Sequence, residues 1–233
     1  MLDVHQLCAW YGKAQILFDV SLSVRAGECV ALMGRNGAGK STTMKAIMGL
    51  LARRSGRVRF GGRDISNLAS HSIARLGLGW VPEDRRIFTD LSVQENLEVG
   101  RQPPRAGVPQ WTHERLFALF PNLATMLSRP GGRTSGGEQQ MLTIARTLMG
   151  NPLLVLLDEP SEGVAPLIVE QLASMLVELK AQGLAILLSE QNLHFARLVC
   201  DRAIVLEKGQ VRFDDSMAAL LGNEAVQRSH LSV

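Results

Sequence analysis

With 233 residues, 46% of them hydrophobic and 20% charged, the chain has an ordinary globular composition and enough length for one large domain or a domain with a subdomain. No apolar run approaches the ~18 residues of a membrane-spanning helix, and a net charge of only +3 with scattered arginines argues against nucleic acid as a partner. Three widely spaced cysteines, Cys8, Cys29 and Cys200, indicate neither a disulfide framework nor a zinc site and fit a reducing cytosol.

The chain opens with short apolar or alternating segments. These are Leu2 to Leu7, Ile16 to Phe18 and Leu22 to Val24, and they are separated by turn signals at Gly12 and at Ala26-Gly27. Short strands broken by such turns predict an antiparallel sheet at the N-terminus.

A glycine-rich segment follows between a predicted strand, Cys29 to Met33, and a predicted helix, Thr42 to Leu50. It fits the phosphate-binding pattern G-x-x-x-x-G-K-[ST], in which backbone N–H groups and a helix N-terminus surround phosphate oxygens. Its lysine can reach the β- and γ-phosphates, and its serine hydroxyl can help to hold magnesium. The sequence therefore predicts a nucleoside triphosphate site formed by Gly34, Asn36, Gly37, Gly39, Lys40, Ser41 and Thr42.

The middle of the chain changes from strands to helices. Val58 to Phe60 and Gly77 to Val81 predict further strands, and the character becomes helical from Ser92 to about Gly150. Within this stretch, Gln102 to Gln110 carries three prolines and a glycine, which predicts a surface loop.

The last third alternates buried strands with a helix. Leu153 to Leu157 is an unbroken apolar run, which is typical of a parallel strand covered on both faces. Apolar residues at spacings of three and four from Ile168 to Leu179 predict a helix, and Leu184 to Leu188 and Ala203 to Leu206 predict two more strands. This order indicates a βαβ core.

Two acidic residues end the first of these strands. Side chains just past the carboxyl end of a parallel strand lie where ligands bind in open α/β sheets. Asp158 can therefore hold magnesium, and Glu159 can take a proton from a water that attacks the γ-phosphate. Surface carboxylates in a turn are the alternative, and the phosphate loop in the same chain argues against it.

The segment from Thr134 to Gln140 has the sequence Thr-Ser-Gly-Gly-Glu-Gln-Gln and precedes a helical stretch. Serine and glycine at a helix start leave N–H groups free, so the segment is a second anion site in principle. Its position about twenty residues before Asp158 strengthens an otherwise weak motif.

With these motifs, nearly the whole chain resembles the ATP-binding subunit of ABC transporters. Residues 34–41 look like the Walker A motif, residues 153–159 like Walker B, and residues 134–138 like the LSGGQ signature with Thr for Leu and Glu for Gln. The resemblance implies an α/β P-loop fold with a mixed sheet, an N-terminal antiparallel β-subdomain and a helical subdomain. It implies one domain over 1–233, divided into a core of about 1–84 and 151–233 and a helical part of about 85–150. ATP and Mg²⁺ are the implied cofactors.

The same resemblance implies that two such subunits enclose two ATP molecules head to tail. Ser135, Gly136 and Gly137 would then contact the γ-phosphate bound by the partner subunit, and Tyr11 would stack on adenine.

Three positions differ from the commonest family pattern. Glu83 stands where a glutamine contacts magnesium and the attacking water, and a carboxylate can still ligate the metal. Gln191 stands at the switch histidine, where an amide can donate a hydrogen bond but cannot relay a proton. Ala165 replaces an aspartate, and His194 is a conceivable displaced switch residue, although a surface histidine is the simpler interpretation.

The segments from Val81 to Phe88, Glu159 to Pro166 and Glu190 to Asn192 together look like the smaller ATPase of branched-chain amino-acid importers. That branch implies permease subunits, a second and different ATPase, an external solute-binding protein acting indirectly, and a place on the cytoplasmic face of the membrane. Glu83 to Leu97 is the expected permease contact. Other amino acids, amides or urea are alternative cargoes. A soluble ABC-type ATPase acting on ribosomes or DNA, and a nucleotide-sensing subunit with a degenerate site, are alternative functions.

Overall fold

The computed structural model describes residues 1–105 and 110–231, so residues 106–109 of the predicted loop lie outside the described part. The strands are β1 (Leu2–Tyr11), β2 (Ala14–Val24), β3 (Cys29–Met33), β4 (Arg53–Phe60), β5 (Arg63–Asp64), β6 (Leu78–Val81), β7 (Leu154–Asp158), β8 (Ala185–Glu190), β9 (Arg202–Glu207) and β10 (Gln210–Ser216). The helices are α1 (Lys40–Ile47), α2 (Ser70–Arg75), α3 (Val93–Gly100), α4 (His113–Leu119), α5 (Pro121–Ala124), α6 (Gly136–Leu148), α7 (Pro166–Ala181), α8 (Leu193–Val199), α9 (Met217–Leu221) and α10 (Glu224–His230).

The first sheet is antiparallel, as predicted, with the order β2-β1-β4-β5. Its first two strands have 10 and 11 residues and are longer than the predicted segments. The register of β1 against β2 shifts between Val4 and Leu7, and Gln6 has a positive φ of 49°. A bulge adds a residue and reverses the in–out alternation, so the pattern looks interrupted where the strand continues.

The second sheet is mixed and has the order β10-β9-β3-β8-β7-β6. All neighbours are parallel except β9 and β10, which form an antiparallel hairpin. The parallel strands match the predicted ones, whereas β10 is a polar edge strand that no apolar pattern indicated. The carboxyl ends of β3, β7 and β8 lie side by side, since Met33 is opposite Glu190 and Asp158 is opposite Ser189.

Two hydrophobic clusters cover the faces of the mixed sheet. Val30 and Leu32 of β3 face α1 and the antiparallel sheet, whereas Cys29, Ala31 and Met33 face the other cluster. Helices α3 to α9 contribute to that second cluster. Every residue of β3, β7 and β8 is buried, which explains why these strands are continuous apolar runs.

The helical character predicted from Ser92 onward is confirmed by α3 to α6, and Ser92 is the N-cap of α3. Asn96 of α3 is fully buried and accepts from the N–H of Phe88, while its amide donates to the carbonyls of Phe88, Leu91 and Ser92. This amide holds the segment before the helix in place. Within residues 1–105 and 110–231, no helix combines the length and the hydropathy that crossing a membrane requires.

Candidate nucleotide site

The phosphate loop joins β3 to α1 and is shaped by glycines with positive φ. Gly34 has a φ of 144°, and a Cβ there would lie 2.4 Å from the carbonyl oxygen of Leu206. Gly39 has a φ of 110°, and its Cβ would lie 2.8 Å from Leu17. Only glycine fits such positions without strain. Gly39 is also the N-cap of α1 and offers no capping side chain, so the first N–H groups of the helix are free for an anion.

Lys40 begins α1 and is almost completely buried. Its ammonium group lies 3.0 Å from Glu159 Oε1 and donates to the carbonyl oxygen of Gly34 at 2.9 Å. A buried charge is tolerated only when it is paired and hydrogen-bonded, and both conditions are met here. The cation is therefore held ready at the start of the helix by groups that an anionic ligand can replace.

Ser41 and Asp158 are 117 positions apart in the sequence and meet at the end of β7, where the serine hydroxyl donates to Asp158 Oδ1 at 2.9 Å. Burial raises the pKa of Asp158, and the hydrogen bond from Ser41 opposes that shift. A hydroxyl and a carboxylate are oxygen ligands of the kind that Mg²⁺ prefers. Among the described residues, no cluster of three or more His, Cys, Asp or Glu side chains forms a metal site.

Glu159 lies directly after β7 with a positive φ of 49°, which turns its side chain toward the phosphate loop. Its second oxygen accepts from the amide of Gln191 at 2.8 Å. Burial raises the pKa of Glu159, but hydrogen bonds from Glu162, Gln191 and Lys40 outweigh burial and the net shift is downward. The carboxylate is thus held in the charged form that a proton acceptor needs.

Two further carboxyl groups belong to this region, and the sequence interpretation assigned them no role. The hydrogen bond with Glu159, followed by partial burial, raises the pKa of Glu162 to about 7. Glu190 is buried and accepts from the backbone N–H groups of Ser161, Gln191 and Asn192, and burial raises its pKa. Glu190 therefore fixes the turn that presents Gln191. The one sign of this role in the sequence was that Glu190, a charged residue, comes shortly after an apolar strand segment.

A pocket of about 480 Å³ lies at this end of the sheet, and most of the predicted site residues line it. Gly34 and Asp158 adjoin it through their bonds to Lys40 and Ser41. Ser135, Gly136 and Gly137 are not among its lining residues, and His194 is exposed on α8, where it contacts Arg197. The lining residues are Tyr11, Ile16, Asn36, Gly37, Gly39, Lys40, Ser41, Thr42, Glu83, Glu159 and Glu162.

Comparison with known proteins shows the family to which the chain is similar. The sequence profile described as ABC transporter matches residues 17–162. The chain is 42% identical to the high-affinity branched-chain amino acid transport ATP-binding protein BraG of Pseudomonas aeruginosa, with 99% of each chain covered. The chain belongs to the ABC transporter family. It is 34% identical to the lipopolysaccharide export system ATP-binding protein LptB of Haemophilus influenzae, covering 99% of this chain and 97% of that protein.

A solved ATP-binding cassette of an ABC transporter in its ADP conformation superposes with a TM-score of 0.81 at 28% identity, covering 98% of this chain and 97% of that one. The family and the complete phosphate loop identify this chain as an ABC ATPase that binds and hydrolyses nucleotide.

The signature segment of this ABC ATPase caps its own helix. Ser135 is the N-cap of α6, its hydroxyl accepts from the N–H of Glu138 at 3.3 Å, and Glu138 Oε2 accepts from the N–H of Ser135 at 2.6 Å. This is a capping box, which glutamate and glutamine both support. The substitution of Glu for Gln in the signature therefore preserves the helix start and adds a charge, 3.7 Å from Arg129.

Two of the other departures, Ala165 and Glu83, also have a local structural account. Ala165 is the N-cap of α7 and cannot cap it with its side chain, but Pro166 at the first helical position has the φ that a helix start requires. Glu83 lies at the pocket wall on the segment between β6 and α3. Two residues later, Arg85 reaches Gln140 of α6 at 3.3 Å, so this segment connects the pocket to the signature helix.

Proposed function

We propose that this chain is the ATP-hydrolysing subunit of an importer for branched-chain amino acids. The observation that carries the enzymatic part is the buried contact between Lys40 and Glu159 beside the Ser41–Asp158 pair. The 42% identity to BraG over 99% of both chains supports the cargo. The match to LptB, an export protein by its name, is weaker at 34%.

In the proposed mechanism, the phosphates of ATP replace Glu159 as the partner of Lys40. Glu159 is then free to accept the proton of the attacking water, while the amide of Gln191 keeps its second oxygen in place. Ser41, Asp158 and the carboxylate of Glu83 would hold magnesium. The metal, when bound, would neutralise charge on the β- and γ-phosphates.

The adenine base is proposed to stack on Tyr11, which lies at the mouth of the pocket and is 47% exposed. Stacking on an exposed ring needs no base-specific hydrogen bond, so the phosphates supply most of the recognition.

The site is proposed to be completed by a second ATPase subunit in a head-to-tail dimer. Ser135 is exposed at the start of α6, outside the pocket of its own chain, and it begins a helix of 13 residues. The capping box uses the N–H groups of Ser135 and Glu138 and leaves those of Gly136 and Gly137 for an anion, which suits the γ-phosphate held by a partner. A Cβ on Gly136 would lie 3.0 Å from Arg85 and one on Gly137 would lie 3.0 Å from Ile168, so the absence of side chains there serves packing within this chain. A second, different ATPase is the proposed partner.

The permease is proposed to dock in a groove of about 600 Å³ between α2, β6, α3 and α6. Phe88 and Val99 both line it and are 47% and 54% exposed, and two such apolar side chains in one groove indicate an interaction site. The segment from Glu83 to Phe88 links this groove to the nucleotide pocket. Arg146 fixes the segment by donating to the carbonyls of Arg85 and Arg86 and by stacking on Phe88.

We further propose that residues 85–150 form a helical subdomain that moves relative to the rest of the single domain when ATP closes the dimer. Binding of ATP to the closed state would supply the free energy for the permease. The protein would then work on the inner face of the cell membrane, and the solute-binding protein outside would contact only the permease.

The test is to purify the tagged chain from its native membrane and to identify the proteins that accompany it. Two permeases and a second ATPase, with amino-acid uptake lost on deletion of the chain, would support the proposal. Phe88→Ala should lower uptake while leaving the ATPase rate of the isolated chain unchanged, and Leu198→Ala, equally exposed on α8, is the matched control. Recovery of ribosomes, DNA-repair factors or a lipopolysaccharide export permease would overturn the proposed transport function.

A further inference from the structure

Two of the three cysteines meet inside the fold. Cys29 begins β3, and Cys200 lies between α8 and β9. They are 171 positions apart in the sequence, yet their Sγ atoms are 3.0 Å apart. Cys29 is fully buried and Cys200 is 6% exposed. The separation of the two cysteines in the sequence gave no indication of this contact.

The backbone on both sides of the two sulfur atoms is fixed. The N–H of Cys29 donates to Asp201 Oδ2 at 3.0 Å, and the N–H of Asp201 donates to the carbonyl of Cys29 at 2.9 Å. Lys180 pairs with Asp201 at 2.8 Å and donates to the carbonyl of Val199 at 3.0 Å. The backbone that carries the two thiols is therefore held in place by bonds that do not involve sulfur, and only side-chain rotation changes the distance between the sulfur atoms.

We propose that Cys29 and Cys200 form an oxidation site, in which a peroxide converts the two thiols into an intramolecular disulfide. The sulfur atoms must approach each other by about 1 Å, because a disulfide bond is ~2.05 Å long. A one-ångström approach is small for side chains at the ends of two elements, where rotation about χ1 supplies it.

The chemistry balances with hydrogen peroxide as the oxidant. The sulfur of Cys200 attacks one peroxide oxygen, the O–O bond breaks, and a sulfenic acid and one water are formed. The sulfur of Cys29 then attacks the sulfenic sulfur, the S–O bond breaks, and a second water leaves with the thiol proton. The two thiols lose two electrons in total, and the peroxide gains them.

Burial raises the pKa of Cys200, so little thiolate is present and oxidation should be slow. The pair should therefore stay reduced at ordinary peroxide levels and close only under sustained oxidative load. Peroxide is small enough to reach a thiol that is only slightly exposed, whereas a bulky disulfide such as oxidised glutathione is excluded until the region opens.

The crosslink would connect two elements that lead to the nucleotide pocket. β3 runs from Cys29 to Met33 and enters the phosphate loop, and α8 begins just after Gln191. The sulfur pair lies at the end of β3 away from the pocket, so we expect nucleotide binding to persist. The expected effect is on stability, because the disulfide closes a very long loop in the unfolded chain.

The test uses the full chain under native conditions with millimolar hydrogen peroxide. Remaining thiols are blocked, and intact mass and peptide mapping follow. We expect a mass loss of about 2 Da, a Cys29–Cys200 crosslinked peptide, reversal by a reducing agent, and a rise in Tm of about 5–10 °C. Cys8→Ser should behave like the wild type, and Cys200→Ser should abolish the mass loss.

Three outcomes would overturn the proposal. These are a crosslink that involves Cys8, oxygen addition to single cysteines without any crosslink, and a Cys29–Cys200 crosslink that forms only in denaturant. If Cys200→Ser does not fold, the wild-type peptide map decides the question by itself, since the three cysteines lie in different segments of the chain.

Discussion

Replacing Glu159 by glutamine removes one negative charge from the centre of the pocket and leaves the side-chain shape almost unchanged. In the wild type, one oxygen pairs with Lys40 at 3.0 Å and the other accepts from Gln191 at 2.8 Å. A glutamine has one acceptor oxygen and an NH₂ group, so it can keep one of these two contacts as a neutral hydrogen bond. The variant therefore loses the proton acceptor and the ion pair together.

The loss of the proton acceptor and the loss of the ion pair each have an expected size. Removal of a general base lowers turnover by about 10²–10⁴-fold. A hydrogen bond to a charged partner contributes about 1 kcal/mol more than a neutral one. In the wild type, Lys40 must give up its charged contact with Glu159 before it can bind the phosphates of ATP. In Glu159→Gln, it gives up only a neutral hydrogen bond, so ATP binding costs about 1 kcal/mol less. A change of about 1 kcal/mol corresponds to a Kd about fivefold lower. Glu159→Gln should hydrolyse ATP far more slowly and bind it more tightly.

Phosphate release at saturating ATP gives the turnover, and equilibrium titration with ATP gives the Kd. Glu170→Gln, the same substitution on the exposed surface of α7, is the control and should change neither quantity. Turnover of Glu159→Gln within tenfold of the wild type would refute the role of this carboxylate as the base. A higher Kd would refute the idea that the Lys40–Glu159 contact competes with nucleotide.

Substitutions at three further positions test other parts of the structure. Because the hydrogen bond with Glu159 raises the pKa of Glu162 to about 7, its bound proton stabilises the fold fully below the unfolded value of 4.5, and that contribution disappears as the pH rises through 7. Urea unfolding should show that the free energy of unfolding falls more between pH 5 and pH 8 for the wild type than for Glu162→Gln. An equal fall in both proteins would contradict the raised pKa of Glu162. Glu138→Gln should keep the capping box and leave the free energy of unfolding within about 0.5 kcal/mol, whereas Glu138→Ala should cost about 1 kcal/mol; equal effects would argue against the cap. Asn96→Ala removes a buried amide that satisfies several backbone groups and should lower the free energy of unfolding by about 3 kcal/mol, with exposed Gln94→Ala as the near-neutral control.

Several features could be predicted from the sequence because their physical cause is local. The phosphate loop is a run of nine residues whose glycines, lysine and serine each have a fixed place between a strand and a helix. The buried parallel strands were equally visible, because a strand covered on both faces is apolar along most of its length. Asp158 and Glu159 could be placed at the pocket because the end of a parallel strand lies there.

Other features depend on contacts between distant parts of the chain, and no local sequence pattern predicts them. The bulges in β1 reverse the alternation that marks a strand, and β10 is a polar edge that pairs only because β9 lies beside it. The role of Glu138 as a helix cap could not be separated from its place in a motif until the hydrogen bonds were visible.

The sequence by itself determined the family, the phosphate loop and the identity of the acidic residues, because short-range sterics and burial act on neighbouring residues. Only the tertiary structure decided that Lys40 is paired with Glu159, that Ser41 meets Asp158, and that Cys29 touches Cys200. Each of these contacts joins residues more than a hundred positions apart, brought together by the pairing of β3 with β8 and β9 and of β7 with β8. Strand order in a sheet is set by the packing of the whole core, and the chemistry of the pocket follows from that order.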